Sequence, residues 1–190
     1  MKKVKFKRVL VDENNQPLSS ELFDGCGDFH EGFAWVRLNH KFNLINGEGR
    51  LITNQWFDDC SDFINGFAVV RLNEKWNLIS QEGKLISNQW FEWCGDFHEG
   101  FAWVKLNNKY NFINQEGNFL SGQWFDDCGN FYNGFAKVEF NNKWNLINQD
   151  GEVVSNQWFD KCDIFREGFA RVELNGEEYY IDTNGNLTEI

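Results

Sequence analysis

The chain has 190 residues and 42% hydrophobic content, which is enough apolar material to form a buried core. Its formal net charge is -11, and because five positive charges lie within the first eight residues, the remainder carries -16. An acidic protein of this kind is repelled by phosphate backbones and by anionic lipid. We therefore expect it to bind neither nucleic acid nor membrane surfaces.

The start of the chain does not resemble a secretory signal. The segment "VLVDENNQPL" turns polar within three residues, whereas a signal peptide needs an apolar stretch of about 7 to 15 residues. The five cysteines are an odd number and form no CxxC pair, so a disulfide framework is not expected. We therefore predict reduced thiols and a cytoplasmic protein, with a removed leader as the open alternative.

A constant period of 34 residues organises the sequence. The Gly-Phe-Ala step begins at Gly32 and recurs without insertion at Gly66, Gly100, Gly134 and Gly168, and all five cysteines share the same spacing. A fixed period marks stacked supersecondary units that bury their apolar faces against their neighbours. We expect a single repeat domain over residues 1–190, with a degenerate first copy at about 1–24 and five copies from about 25 to 190.

Each copy is predicted to contain a β-hairpin. In "GFAVVRL-NE-KWNLIS" two runs of β-branched and aromatic residues flank two turn residues, and no copy shows the apolar spacing of a helix. Asn leads the turn pair in every copy because a type I′ turn needs positive φ at both central positions. A second turn at Glu-Gly, Asp-Gly or Asn-Gly follows, and a third, shorter strand such as "KLIS" or "EVVS" is predicted after it.

The turn position predicts the strand register. In the second copy the expected pairs are Leu72 with Lys75, Val70 with Asn77, Ala68 with Ile79, Val69 with Leu78 and Arg71 with Trp76. Apolar residues then occupy both faces of the sheet, which indicates that neighbouring copies cover both sides. The predicted fold class is an all-β repeat protein whose three-strand units stack as an open β-solenoid-like array, with a closed propeller-like ring as the alternative. A polar outer face is expected at the terminal copies, and the charged first strand suits that role.

The lines "GFAVVRLNEKWNLISQEGKLIS" and "EGFAWVKLNNKYNFINQEGNFLS" resemble the bacterial WG-repeat family. Units of that family read approximately Gly-Leu/Phe-Ala-x-Val, then Lys-Trp-Gly-Tyr/Phe-Ile-Asp and a Gly turn, and the resemblance runs from about Gly25 to the end. The namesake dipeptide differs here, reading Phe42-Asn43, Trp76-Asn77, Tyr110-Asn111, Trp144-Asn145 and Glu178-Tyr179. Asn in place of Gly fits either an unusual backbone angle or an extended strand. The resemblance implies a β-rich binding or scaffold module without enzymatic activity, and it supplies neither a ligand nor a catalytic residue.

The cysteines and acidic pairs are weak candidates for chemistry. Each cysteine lies between aromatic residues with Asp neighbours, and nearby negative charge raises a thiol pKa, so a small buried hydrophobe is favoured over a nucleophile. A C-x₃-H spacing joins Cys26 to His30 and Cys94 to His98, but the other copies lack the His, and a structural zinc needs four ligands. The pairs Asp58-Asp59 and Asp126-Asp127 are too short a segment to supply six calcium ligands.

Catalysis is not expected, because the copies are nearly identical while an enzyme needs one asymmetric constellation of residues. We predict no enzyme, no cofactor and no metal, although a site at a seam between copies stays open.

Two rows of residues vary inside the otherwise uniform frame. One row, within the Gly-Phe-Ala-x-Val step, reads Trp35, Val69, Trp103, Lys137 and Arg171, and the other reads His30, Ile64, His98, Tyr132 and Arg166. Variable positions in a fixed frame are usually exposed, so we expect both rows to line one surface; a surface that merely tolerates change is the alternative. The candidate partner-binding residues are Trp35, Trp103, Lys137, Arg171, His30, His98, Tyr132 and Trp93.

The candidate residues favour a non-enzymatic scaffold that binds a protein or peptide, since aromatic and Arg side chains are enriched at protein interfaces. Carbohydrate or cell-wall binding through exposed aromatics is an alternative that requires export, and a purely structural spacer is another. Neither the partner, the process nor the oligomeric state follows from these residues.

Overall fold

The computed structural model describes residues 22–190, which divide into a first unit that ends at Asp96 and a second unit that begins at Phe97. All of its regular elements are strands, and the described part of the chain holds no helix long and apolar enough to span a membrane. The predicted degenerate copy at 1–24 and the charged first strand lie, apart from residues 22–24, outside the described residues.

The strands of the first unit are β1 (Gly25–Cys26), β2 (Phe33–Leu38), β3 (Lys41–Asn46), β4 (Asp59–Cys60), β5 (Phe67–Leu72), β6 (Lys75–Ser80) and β7 (Trp93–Cys94). Those of the second unit are β8 (Phe101–Leu106), β9 (Lys109–Asn114), β10 (Asp127–Cys128), β11 (Phe135–Phe140), β12 (Lys143–Asn148), β13 (Lys161–Cys162), β14 (Phe169–Leu174), β15 (Glu177–Asp182) and β16 (Leu187–Glu189). The sheets are antiparallel and follow one another along the chain, so the predicted all-β tandem repeat of three-stranded units is confirmed.

The predicted hairpins and their register are confirmed. Strands β5 and β6 pair Val70 with Asn77 and Ala68 with Ile79. The turn residues Asn73 and Glu74 have φ of 50° and 64°, as a type I′ turn requires. Positive φ at both turn positions recurs in all five copies. The local sequence therefore specifies the hairpin, because the turn conformation sets which residues face each other.

The third strand was predicted in the wrong place. The segments "KLIS" and "EVVS" contribute only single bridges, Leu85 to Ile79 and Val153 to Ile147. The third strand is instead the dipeptide ending in Cys, as in β4, where Cys60 lies opposite Val70 of β5. Among the copies within residues 22–190, only the last forms a strand after its second turn, and that strand is β16.

A buried Asn in the second hairpin strand explains why the chain leaves the sheet. Asn43, Asn77, Asn111 and Asn145 share this position, and all are fully buried. The Asn145 amide nitrogen donates to the carbonyls of Ser155 (2.7 Å) and Gln157 (3.1 Å), while its oxygen accepts the Leu146 N–H at 2.8 Å. Carbonyls bound by this side chain are not available to a neighbouring strand. The Asn at this position lies in an extended strand and has no positive φ. Of the two conformations that the sequence allowed, an unusual backbone angle or an extended strand, the second is therefore correct.

A further turn was missed. Glu31, Asn65, Glu99, Asn133 and Glu167 all have φ near 50° and precede a Gly with positive φ, so each copy has a two-residue turn before its Gly-Phe-Ala strand. In the first copy His30 and Phe33 pair across this turn. Asn-Gly is a strong hairpin signal, and at this turn the sequence has it in two copies, at residues 65–66 and 133–134.

Successive copies share hydrophobic cores. In the first unit Leu44 of β3 packs with Phe57, Ala68, Val70 and Ile79 of the next copy. In the second unit the sheet of β10, β11 and β12 is covered on both faces: Ala136, Val138 and Ile147 pack with Phe112, and Leu146 packs with Ala170 and Val172. Burial of both faces, which the strand register predicts, is confirmed for this sheet. No single hairpin of this kind could bury its apolar residues alone.

Candidate functional site

The two variable rows lie on different parts of each copy. Trp35 and Trp103 lie on the middle of the first hairpin strand and pack, half-buried, against the cores that follow them. Val69 is buried, so the expectation that this whole row is exposed is wrong at that position. The reason is that this face of the sheet is also the stacking face, where a side chain is covered by the next copy.

The second row lies on the missed turns and is more accessible. His30 and Tyr132 are exposed and His98 is half-buried. The His30 Nε2 atom lies 3.7 Å from Asp62 Oδ2 of the following copy, and the rings of His98 and Tyr132 are 5.8 Å apart. This row therefore contributes contacts between copies as well as surface.

Trp93 is an exposed aromatic in the first unit. Half of its surface is accessible, and its ring lies 4.6 Å from that of Trp76. The Trp93 ring thus packs on a strand residue of the preceding copy. Within the first unit it forms no ring contact with Trp35.

Two of the predicted residues, Lys137 and Arg171, meet in one cavity of about 480 Å³ in the second unit. The full lining is Lys137, Asp163, Ile164, Arg166, Phe169, Arg171 and Tyr180. The sequence did not indicate Phe169, because Phe stands at that position in every copy, or Tyr180, whose counterparts in the earlier copies are Leu or Phe. In the structure both side chains are exposed, Phe169 at 53% and Tyr180 at 44%.

The cavity is cationic, although the chain as a whole is acidic. Arg171 pairs with Glu178, whose carboxylate raises the pKa of the guanidinium. The Lys137 ammonium lies over the Trp144 ring, 4.5 Å from its centre. In the described part of the chain neither Lys137 nor Arg166 forms an ion pair, and the lining also contains the Asp163 carboxylate.

The thiols are poorly suited to nucleophilic chemistry. All five cysteines are free, and burial, followed by the Asp59 and Asp62 carboxylates, raises the pKa of Cys60 to about 12. Burial also raises the pKa of Cys162 to about 12. The predicted direction is therefore confirmed, but burial rather than neighbouring charge is the larger cause. At neutral pH such thiols are almost fully protonated, and the thiolate is the reactive form.

The acidic pairs are engaged in turns. Asp58 accepts hydrogen bonds from Lys41 and from the Asn73 N–H, and Asp59 accepts one from its neighbour Cys60. Asp126 is held in the same way by Lys109 and the Asn141 N–H. Among residues 22–190 no three His, Cys, Asp or Glu side chains cluster as metal ligands would. These carboxylates thus have a structural role, which is to stabilise the type I′ turns.

These carboxylates make stability depend on pH. The Lys143 ammonium, and after it the Asn175 N–H, hold the pKa of Asp160 below its ordinary value of 3.8, and the Lys41 and Lys109 partners lower the pKa of Asp58 and Asp126. A lowered folded-state pKa contributes stability that is present above the ordinary value and is lost as the pH falls through the folded value. We expect the urea midpoint to fall on acidification below about pH 4, and to fall less in an Asp58→Asn, Asp126→Asn, Asp160→Asn variant. An Asp150→Asn control should follow the wild type, and parallel curves for the triple variant and the wild type would contradict the assignment.

The family model for the WG containing repeat matches the sequence five times, at residues 10–42, 44–76, 78–110, 112–144 and 146–177. The chain belongs to the WG containing repeat family. The five matches start 34 residues apart, which is the spacing of the hairpins described above. In this WG repeat chain the four buried Asn residues, Asn43, Asn77, Asn111 and Asn145, are the single residues between successive matches.

Solved structures with low identity also resemble this WG repeat chain. Hsv2p of Kluyveromyces lactis aligns with a TM-score of 0.41 and 12% identity over 86% of this chain and 61% of its own. A eukaryotic initiation factor aligns with a TM-score of 0.46 and 12% identity over 92% and 58%. A Bacteroides caccae protein of unknown function aligns with a TM-score of 0.33 and 12% identity over 96% and 88%. The chain thus spans less than two thirds of the first two structures, and no curated protein matches it.

Proposed function

We propose that this WG repeat chain is a non-enzymatic scaffold that binds a protein or peptide partner through its variable rows. The observation that carries the proposal is the cavity in the second unit, where Lys137 and Arg171 lie beside Arg166 and two exposed aromatic rings. Aromatic and Arg residues contribute most of the binding energy at protein interfaces when a partner buries them together. The raised pKa values of the thiols support a role without covalent chemistry.

The structure changes the choice of residues for a test. Trp35 and Trp103 pack against cores, so replacing them would alter the fold as well as the surface. Tyr132 is 47% exposed, Arg171 is exposed and Lys137 is half-buried at the cavity. A Tyr132→Ala, Lys137→Ala, Arg171→Ala variant therefore tests the surface with less effect on the core.

The experiment compares proteins captured by the wild type, by this variant and by a matched control. The control, Phe119→Ala, Lys84→Ala, Arg50→Ala, also removes one exposed aromatic side chain and two cations. We expect the wild type and the control to capture a protein that the variant does not capture. The same protein, once purified, should again bind the wild type and the control but not the variant. Equal capture by all three would overturn the proposal. Retention on a polysaccharide in place of a protein would favour carbohydrate binding.

A further inference from the structure

Successive copies within each unit are joined by a contact between two phenylalanines. One ring stands at the start of the Gly-Phe-Ala strand, and the other precedes the turn of the next copy. Ring centres are 4.6 Å apart for Phe33 and Phe63, 4.9 Å for Phe101 and Phe131, and 4.5 Å for Phe135 and Phe165. The same geometry thus recurs in both units.

Polar contacts accompany the rings. The Glu31 carboxylate accepts the N–H groups of Asn65 and Gly66, at 2.8 Å each, and the Glu99 carboxylate does the same for Asn133 and Gly134 at 2.8 Å each. In the first unit His30 also faces Asp62. A junction therefore has two sides, which we define by position in the repeat. The acceptor side comprises the residues at the positions of His30, Glu31 and Phe33, and the donor side comprises those at the positions of Asp62, Phe63, Asn65 and Gly66.

Within the described residues, no donor side packs on the acceptor side of the last copy. Its residues are Arg166, Glu167 and Phe169, and the Phe169 ring is 53% exposed. Within the described residues Glu167 accepts no hydrogen bond and Arg166 forms no ion pair, yet Glu167 has the φ of 50° seen at the other turns. On the same face Tyr180 is 44% exposed, whereas Leu146, at the same position one copy earlier, is 1% exposed.

The first described copy carries a donor side that is also open. It comprises Asp28, Phe29, Glu31 and Gly32, which occupy the repeat positions of Asp62, Phe63, Asn65 and Gly66. Phe29 is 37% exposed, whereas Phe63, Phe131 and Phe165 at the same position are 1–2% exposed. Asp28 is exposed and, in the part of the chain that the structure describes, forms no ion pair.

We propose that the donor side of one molecule docks on the acceptor side of a second copy, so that the chain self-associates head to tail. Phe29 of one molecule then packs on Phe169 of the other, Glu167 accepts the N–H groups of Glu31 and Gly32, and Arg166 faces Asp28. The charges are complementary, because the acceptor side lies in the cavity with Lys137 and Arg171 while the donor side holds two carboxylates. An interface of this heterologous kind propagates into rings or filaments.

The inference concerns the same cavity as the proposed function but does not need an external partner. Its test therefore uses the purified chain alone, in sedimentation velocity over a series of concentrations. We expect the wild type to associate with increasing concentration and the Phe29→Ala and Phe169→Ala variants each to associate at least about tenfold more weakly, as for a central aromatic anchor. The exposed Phe119→Ala control should behave as the wild type.

Mixing the two variants gives the decisive result. Phe29→Ala keeps an intact acceptor side and Phe169→Ala keeps an intact donor side, so their mixture should form dimers that cannot grow further. An Asp28→Arg, Arg166→Asp double variant should recover association that each single change weakens. The inference is overturned if the wild type stays monomeric, if both alanine variants associate as the wild type does, or if the mixture forms no dimer. None of these outcomes affects capture of an external protein by Tyr132, so failure here is distinct from failure of the proposed function.

Discussion

Replacing Asn145 by Ala should lower the free energy of unfolding by about 3 kcal/mol. The change removes an amide that is fully buried and leaves the carbonyls of Ser155 and Gln157 and the N–H of Leu146 without their partner. A buried group left unpaired costs about 1–3 kcal/mol, and relaxation of the loop offsets part of the sum. The measurement is urea denaturation followed by tryptophan fluorescence.

Asn156 offers the matched control, because it lies in the same loop and is exposed. Asn156→Ala should change the free energy of unfolding by no more than about 0.5 kcal/mol. If the two variants unfolded at the same urea concentration, the buried Asn would not be what holds this loop. Asn145→Gly, which restores the family's namesake dipeptide, should be destabilising as well, since Gly has no side-chain amide.

Replacing Phe165 by Ala should cost about 3–5 kcal/mol, the range for deleting a buried aromatic ring. Its side chain is 2% exposed, belongs to the core of the last copy and contacts the Phe135 ring of the copy before it. The loss therefore affects both the copy and its junction. Thermal unfolding by circular dichroism, together with urea denaturation, measures the change.

Phe169→Ala is the internal comparison, because the same ring is removed four residues later from a site that is 53% exposed. We expect its effect on stability to be below about 1 kcal/mol. Equal losses in the two variants would contradict the assignment of Phe165 to the core and Phe169 to an open face. The comparison also establishes that Phe169→Ala is folded, which the self-association experiment needs.

Local features of the fold were predictable from the sequence. The turn at Asn73 and the pairing of Val70 with Asn77 follow from residues close in the chain, and the structure confirms both. The third strand was not predictable in the same way. Its two residues, Asp59 and Cys60, carry too few side chains for a strand pattern, and they pair with β5 at the sheet edge opposite β6.

The candidate site was predicted in part. Lys137 and Arg171 were selected because they vary inside a uniform frame, and they line one cavity. Phe169 and Tyr180 were not selected, because Phe stands at the first position in every copy and Leu or Phe stands at the second position in the earlier copies. Variation between copies identifies a residue that differs, but it does not report which face of its sheet is covered.

The sequence by itself determined the period, the hairpins and their register, because each depends on turn chemistry and alternation within a few residues. Tertiary structure alone decided which positions are surface. Phe135 and Phe169 begin the same Gly-Phe-Ala strand in neighbouring copies, yet Phe135 packs on Phe165 while Phe169 is exposed. The physical reason is that burial in a stacked repeat depends on whether a following copy covers the face, and identical local sequences cannot encode that difference.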